Sequence, residues 1–217
     1  MNIFLFLLTF LAYHTLCPPN LSAQAPDMPK TFGFLSIVRS PTPLVLKIGP
    51  NPIGDEGWGI GMFSGVLTWI PFAPLSAELK GYKSSTLPIP KDLKSGQCPI
   101  LVIYDALESP SPDKPPEPLL KWRSIENASD RPKYFFDALD LTTGKILELQ
   151  ANGKTTRLTK GKRQRLSTDS SFYFKVADGP EGSYSPSEGG LKILLIFYTG
   201  IDGQTTCTSV RDFLVEP

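Results

Sequence analysis

Short apolar segments alternate along the chain with clusters of glycine, proline, asparagine, aspartate and serine. Strands are short and their turns need these residues, so the pattern predicts an all-β sandwich or barrel. No window keeps a helical hydrophobic period. The predicted strands are Phe32–Arg39, Leu44–Ile48, Val66–Pro71, Leu75–Lys80, Pro99–Leu107, Leu119–Glu126, Tyr134–Leu141, Lys145–Gln150, Thr155–Leu158, Ser171–Ala177, Leu191–Thr199 and Gln204–Leu214.

Two dipeptides give strong hairpin signals. Asn152-Gly153 and Asp202-Gly203 each stand between predicted strands. Asn-Gly and Asp-Gly accept the positive φ that a tight hairpin turn requires. In contrast, Gly57-Trp58-Gly59-Ile60-Gly61-Met62 lacks the sixth-position glycine and the following helix of a dinucleotide-binding loop, and its alternation favours extended structure.

Three segments of the first half recur in the same order in the second half. Chance apolar runs need not keep that order, although a glycine followed by aliphatic residues is common in β proteins. We therefore predict two similar small antiparallel β-sandwich halves in tandem, with one larger β-sandwich as the alternative. The recurring pairs are Leu44–Gly49 with Ile146–Gln150, Leu75–Lys80 with Ser171–Val176, and Ser95–Tyr104 with Glu188–Phe197.

The N-terminal segment has the layout of a secretory signal peptide. Asn2–Leu16 is mostly apolar and carries no charged side chain, and a proline break and Leu21-Ser22-Ala23 follow it. We expect residues 1–23 to be removed, leaving a secreted or periplasmic chain with no transmembrane span. An uncleaved anchor is the alternative, although the apolar run is short for one. Lipidation at Cys17 fits less well, because the preceding residues do not form a lipobox.

The remaining chain divides into repeat 1, residues 24–129, and repeat 2, residues 130–217. The proline-rich segment 109–118 favours extended geometry and is unsuited to a central strand. It could link two domains, but a tight turn stands at the matching place in the second repeat. We therefore interpret it as a long hairpin loop within repeat 1.

Composition excludes several kinds of chemistry. The only histidine is His14, inside the predicted signal peptide, so the mature chain has no histidine base and no His/Cys metal site. The net charge of +1 argues against a nucleic-acid partner, and no motif implies a cofactor. Paired carboxylates could hydrolyse glycans without histidine. The available pairs are Asp55–Glu56, Asp105–Glu108 and Asp137–Asp140.

A basic run is the main candidate for binding. No acidic residue interrupts it, and its members follow the Asn152-Gly153 turn. It could bind an anionic glycan or lipid of the envelope. Alternatively, it guards an exposed sheet edge against aggregation by its charge. On either interpretation, we expect replacing its last three residues to change stability little. The run comprises Lys154, Arg157, Lys160, Lys162, Arg163 and Arg165.

Cysteines and aromatic residues leave further alternatives open. Cys98 and Cys207 are the only cysteines after the signal segment, and an oxidising compartment would allow a disulfide between them. Spacing alone does not bring the two together. Five aromatic residues could form a platform for stacking sugars or could pack in the core. They are Trp58, Trp69, Tyr82, Trp122 and Tyr184.

One segment resembles the latter part of PEGA-type domains, which are small transthyretin-like β-sandwiches of bacterial envelope proteins. Ser76–Tyr82 ends in Gly-Tyr after a short strand, and Leu93–Gly96 precedes the next aliphatic strand. The resemblance implies scaffold or adhesion use. With the missing catalytic residues, we expect a secreted or envelope-associated, non-catalytic binding or structural module with a glycan, lipid or protein partner. A carboxylate-dependent glycan hydrolase or lyase is the alternative.

Overall fold

A computed structural model describes residues 31–69, 73–87, 98–108, 115–125, 132–144 and 146–211. The predicted signal peptide and the predicted boundary between the repeats lie outside these residues. Every helix or strand in the described ranges is a strand, which confirms the all-β prediction. No helix there could carry the chain across a bilayer.

The first half forms two four-stranded sheets. The inner sheet has the order β4-β1-β7-β8, and the outer sheet has the order β3-β2-β5-β6. The strands are β1 (Thr31–Ser36), β2 (Leu44–Ile48), β3 (Asn51–Trp58), β4 (Phe63–Thr68), β5 (Leu75–Glu78), β6 (Ser85–Leu87), β7 (Ile100–Glu108) and β8 (Glu117–Ile125).

The second half repeats this arrangement strand for strand. Its inner sheet is β12-β9-β15-β16 and its outer sheet is β11-β10-β13-β14. Both inner sheets contain one parallel pair, β1 with β7 and β9 with β15, among antiparallel pairs. The predicted tandem of similar halves is therefore confirmed. Its strands are β9 (Tyr134–Asp140), β10 (Glu148–Ala151), β11 (Lys154–Arg157), β12 (Arg163–Ser167), β13 (Phe172–Val176), β14 (Glu181–Tyr184), β15 (Leu191–Thr199) and β16 (Thr205–Arg211).

The two inner sheets pack against each other, so the protein has four layers. Within each half, a core fills the space between inner and outer sheets. A third core joins the inner sheets: Val102 and Ile100 of the first half pack with Leu194 and Ile196 of the second. Central inner strands such as β7 and β15 are therefore buried on both faces and contain uninterrupted apolar runs, whereas outer strands such as β13 alternate buried and exposed residues.

Hydrogen bonds give the register of the repeat. Ile37 N donates to Ile103 O, and Leu141 N donates to Phe197 O at the corresponding place. Ile103 thus corresponds to Phe197, whereas the sequence comparison aligned it with Ile196. That one-residue error matters because neighbouring residues of a strand face opposite sides. Ile103 and Phe197 both face the core of their own half, and Ile196 faces the other half.

The strands that sequence analysis missed are β3, β6, β12 and β14, and each lies at the edge of its sheet. Edge strands tolerate proline, glycine and charge because one side makes no ladder bonds. The Gly57–Met62 segment is also different from the prediction. It contains the end of β3 and the turn into β4, with positive φ at Gly57 and Gly61, so it is not extended throughout.

Both predicted hairpins are present. Asn152 and Gly153 have φ of 45° and 78° between β10 and β11, as a type I′ turn requires. The β15–β16 hairpin has a three-residue loop in which Gly203 is left-handed. In the first half, β7 and β8 pair antiparallel as far as Glu108 and Glu117. The proline-rich segment therefore connects two paired strands, although residues 109–114 are outside the described ranges.

Candidate functional site

A cleft of about 380 Å³ lies where the two inner sheets meet, and we call it the central cleft. Both halves contribute to its walls, and Tyr104 and Tyr198 occupy corresponding places in β7 and β15. Its volume is at the lower end of the roughly 300–1,000 Å³ typical of small-molecule sites. The polar and charged residues that line it are Arg39, Tyr104, Asp105, Arg123, Asp140, Thr142, Thr143, Lys160, Tyr198 and Thr199.

Reciprocal contacts between the halves hold the cleft in shape. Thr208 of β16 donates a 3.2 Å hydrogen bond to Gly61 O, and Arg123 of β8 donates one to Gly161 O. The two glycines correspond, with φ of +78° and +70°. Such exchange of equivalent contacts is typical of a twofold-like interface. A Cβ at Gly161 would displace the Arg123 guanidinium, and the positive φ of this residue is one that other side chains rarely adopt, so the position favours glycine.

Asp105 of β7 forms an ion pair with Arg39. Asp105 accepts hydrogen bonds from Arg39 N at 2.9 Å and from Arg39 Nη2 at 2.7 Å. Burial raises the pKa of the Asp105 carboxyl, but the hydrogen bonds from Arg39 outweigh burial and hold that pKa below its usual value. The second half has hydroxyls at the corresponding positions, where Thr143 N donates to Thr199 Oγ1 at 3.0 Å.

Asp140 is the buried charged residue of the cleft, with none of its surface exposed. Its Oδ1 accepts hydrogen bonds from the backbone N and the hydroxyl of Thr142, at 2.9 and 2.7 Å. Its Oδ2 is buried too, yet it accepts no hydrogen bond from any residue in the described ranges. A buried polar atom in this condition costs about 1–3 kcal/mol, more if charged, and calls for a partner.

Two cations line the same cleft as this carboxylate. Lys160 Nζ donates to Thr142 O at 2.9 Å and also to Gly144 O, and Arg123 donates to Gly161 O. An ammonium has three donors and a guanidinium has five, so both cations keep donors for a further partner. With the Arg39–Asp105 pair, the cleft has three cationic and two anionic side chains, hence a net charge of +1.

A second cleft is lined by Ile60, Tyr198, Gly200, Ile201, Asp202 and Thr206. Asp202 is the charged residue of this lining, and three charged residues of the central cleft have uncharged counterparts in the repeat. Ile60 corresponds to Lys160, since each precedes one of the two corresponding glycines. Thr208 corresponds to Arg123, and Ser36 corresponds to Asp140. The fold therefore does not require these three charged residues, because the repeat forms the equivalent contact between the halves with uncharged ones.

The predicted basic run does not form one surface. Lys160 is in the central cleft, whereas Arg157 is exposed and pairs with Glu148 at 2.7 Å. Lys154 is exposed at the start of β11, and Lys162 is exposed before β12. Strands β11 and β12 both lie at the edge of a sheet. This is the position in which exposed charges protect against aggregation, and that role stays a prediction.

Arg163 and Arg165 are structural rather than freely exposed. Arg163 Nε donates to Asp137 Oδ2 at 2.7 Å, Arg165 Nε donates to Asp137 Oδ1, and Asp137 is almost fully buried. The Arg165 guanidinium also lies 4.5 Å from the centre of the Phe135 ring. Replacing these arginines will therefore affect stability, contrary to the expectation for surface residues.

Cys98 and Cys207 are not joined by a disulfide. Cys207 is a free cysteine in β16, packed against the core of the second half, and Cys98 is buried before β7 in the first. Burial raises the pKa of the Cys207 thiol to about 12. Because the thiolate is the reactive form, this cysteine is unsuited to nucleophilic chemistry.

The five aromatic residues pack in the two cores and do not form a sugar-stacking platform. Trp69 lies 5.0 Å from Phe32 between ring centroids, and Tyr184 lies 5.4 Å from Phe136. Trp58, Tyr82 and Trp122 pack against the core of the first half. The only aromatic residues of the central cleft, within the described ranges, are two tyrosines that sequence analysis did not select.

Sequence analysis recognised parts of the charged site but not their grouping. It named Asp105 with Glu108 and Asp137 with Asp140, but the structure places Asp105 and Asp140 in one cleft. Glu108 instead pairs with Lys121, and Asp137 with arginines. Arg39 and Arg123 carried no recognisable signal. Among the described residues, no cluster of three or more metal-ligating side chains occurs.

The Arg39–Asp105 pair predicts a pH dependence of stability. The folded pKa of Asp105 lies below the unfolded value of about 3.9. The pair therefore stabilises the protein above about pH 4 and loses this effect as pH falls through the folded pKa. Since Arg39 is 39% exposed, screening limits the contribution to less than about 1 kcal/mol. We expect the difference in urea midpoint between wild type and Asp105→Asn to shrink as pH falls from 7 to 3. A constant difference would contradict this.

Fold and site together define a tandem β-sandwich protein with a charged cleft between its halves. No protein-family model matches the chain, and a search of curated proteins finds no match to it.

Proposed function

We propose that this protein is a secreted or envelope-associated, non-catalytic binding module whose ligand occupies the central cleft. The observation that carries the proposal is the grouping of Arg123 and Lys160 in the walls of this cleft, where both cations keep donors that their backbone carbonyl partners do not use. Hydroxyls in the same walls supply further polar contacts for a ligand. Export rests on the predicted signal peptide, and the PEGA-type resemblance agrees with a binding or scaffold role.

A carboxylate-dependent glycan hydrolase or lyase remains the second candidate, because Asp105 and Asp140 line the same cleft. Hydrolysis of a glycosidic bond requires a general acid with a raised pKa. The pKa of Asp105 is lowered by Arg39, so Asp105 suits a nucleophile or a base but not the acid.

A thermal-shift screen of the exported protein tests the proposal. Compounds would include sugars, sugar acids, amino acids, nucleotides and lipid headgroups. At about a hundred times its Kd, a ligand adds about 2.7 kcal/mol, which raises the Tm of a chain this size by about 5–10 °C. We expect one compound class to do so. N-terminal sequencing of the same material should give Gln24, and an intact Met1 would contradict export.

Two matched variants locate the effect. Thr143→Trp fills the central cleft, and Thr155→Trp places the same side chain on the exposed face of β11. We expect the shift to disappear in Thr143→Trp and to persist in Thr155→Trp. No shift with any compound, or an equal shift in both variants, would contradict binding at this cleft. Conversion of the stabilising compound into products would instead support the hydrolase.

A further inference from the structure

We propose that the free edge of strand β16 is an assembly surface, on which a second copy of this chain adds its own β16 in antiparallel orientation. The second halves of two copies then share one continuous inner sheet of eight strands. The proposal goes beyond the proposed function, because no residue of β16 lines the central cleft. It follows from the backbone groups of this edge, from its lack of protection, and from the fit of a second copy.

The free edge of β16 presents backbone N–H and C=O groups at every second residue. Gly200 N donates to Gln204 O at 2.8 Å, and β15 and β16 pair from there in one unbroken register. Antiparallel ladders alternate between residues that bond to the neighbouring strand and residues whose backbone groups point away from it. No strand or bridge among the described residues pairs with this edge. The residues with outward groups are Thr205, Cys207, Ser209 and Arg211.

The other edge strands of the four described sheets are each unsuited to pairing. Strands β6, β11 and β14 have at most four residues, and β3 contains a proline and two glycines. Strands β4 and β12 have irregular registers, which bend a strand locally. Strand β8 corresponds to β16 in the repeat, but its edge is covered, because Lys83 N donates to Pro118 O at 3.1 Å and Lys83 forms a bridge with Leu119.

Strand β16 has none of these protective features. Its seven residues contain no proline, glycine or lysine, and its threonines and valine are β-branched and suit an extended strand. Natural proteins protect exposed strand edges, because a long and regular edge is a template on which another strand pairs. The absence of protection at β16 therefore indicates that this edge is used for pairing.

A second copy of β16 fits the edge through both backbone and charge. Antiparallel pairing centred on Thr208 places Thr205 opposite Arg211 and Cys207 opposite Ser209 of the second copy, so every outward residue finds a bonding partner. Arg211 is the charged residue of the strand, and Asp202 lies in the loop before it. Antiparallel addition brings the end of one strand towards the start of the other, so these unlike charges approach each other twice.

Exposed apolar side chains beside β16 add to this surface. Ile201 is 54% exposed in the loop before the strand. Met62 is 49% exposed and follows Gly61, whose carbonyl oxygen accepts the hydrogen bond from Thr208. Burial of such groups beside a paired edge supplies the hydrophobic part of a stable interface, which backbone hydrogen bonds alone do not provide.

Sedimentation equilibrium of the exported protein, over a wide range of concentrations, tests the proposal with two matched variants. Ser209→Pro removes an outward N–H at an exposed position and leaves the bonds to β15 in place. Thr155→Pro makes the same change on β11, where the N–H of an exposed edge residue also points outward. We expect a monomer–dimer equilibrium in which Ser209→Pro raises the dissociation constant at least about tenfold, since each dimer loses two hydrogen bonds. Thr155→Pro should leave it unchanged.

Amide hydrogen exchange of the wild-type protein tests the pairing without any variant, and it decides alone if Ser209→Pro does not fold. The N–H groups of Thr205, Cys207 and Ser209 form intermolecular hydrogen bonds only in the dimer. We expect their exchange to slow as the protein concentration rises, while exchange at Thr155 and Arg157 stays constant. A monomer at every concentration, a dimer that Ser209→Pro does not weaken, or exchange on β16 that is independent of concentration would overturn the proposal.

Discussion

Replacing Asp137 with alanine is expected to lower the free energy of unfolding by about 3–5 kcal/mol. The side chain of Asp137 is 3% exposed and accepts hydrogen bonds from both Arg163 and Arg165. Removing the carboxylate takes away the buried anion that both arginines share, and breaking a buried ion pair from one side is strongly destabilising.

Glu148→Ala is the matched control for this change. Glu148 forms an ion pair with Arg157 across neighbouring strands, as Asp137 does with Arg165, but both side chains are exposed. We expect a cost below about 1 kcal/mol, because water screens an exposed pair. Urea unfolding at pH 7 measures both variants. If Asp137→Ala costs no more than Glu148→Ala, the buried ion pairs do not stabilise the second half as described.

Truncating Leu194 should produce a loss of similar size, about 2–5 kcal/mol. Leu194 is fully buried in the core that joins the two inner sheets, so Leu194→Ala opens a cavity between the halves. Leu107→Ala is the control, because Leu107 is 72% exposed and surface changes usually cost within about 0.5 kcal/mol.

The positions of the tryptophans make Leu194→Ala a test of whether the two halves unfold together. All three, Trp58, Trp69 and Trp122, belong to the first half, whereas Leu194 belongs to the second. Tryptophan fluorescence therefore reports unfolding of the half that does not contain the substitution. If the shared core couples the halves, the fluorescence midpoint should fall together with the far-ultraviolet dichroism midpoint. A fluorescence midpoint that stays at the wild-type value would show that the halves unfold independently.

The sequence predicted those strands whose hydrophobic pattern follows their burial. Outer strands such as β2 and β13 alternate buried and more exposed residues, and inner strands such as β7 and β15 contain uninterrupted apolar runs. Strand β3 was missed because Pro52, Gly54 and Gly57 interrupt any pattern, and only an edge position tolerates them. The β12 sequence contains two arginines and therefore resembles an exposed loop. Only the structure shows that Asp137 lies beside them.

Two apolar runs in the sequence also indicate the four-layer arrangement. A strand buried on both faces needs a layer on each side, and both β7 and β15 contain an uninterrupted apolar run, at 100–104 and 193–198. In a two-layer sandwich, one face of each strand would be polar. These two runs therefore indicated that the halves pack against each other through the same pair of sheets.

The central cleft could not be predicted, because its residues come from separate segments of both halves. Arg39, Asp105 and Lys160 are distant in sequence and meet only when the inner sheets pack. Asp140 was noticed as a carboxylate, but its burial and its unpartnered oxygen depend on Thr142 and on the surrounding fold. No pattern in a single sequence reports such a grouping.

The most direct test of the account is to map the bound ligand on the protein. Amide chemical shifts of the isotopically labelled protein would be followed as the stabilising compound is added. If the ligand occupies the central cleft, the shifts will change at Thr142, Thr143, Gly161 and Thr199, while Ile60 and Thr206 in the second cleft will change little. Changes confined to the outer sheets or to the second cleft would contradict the account.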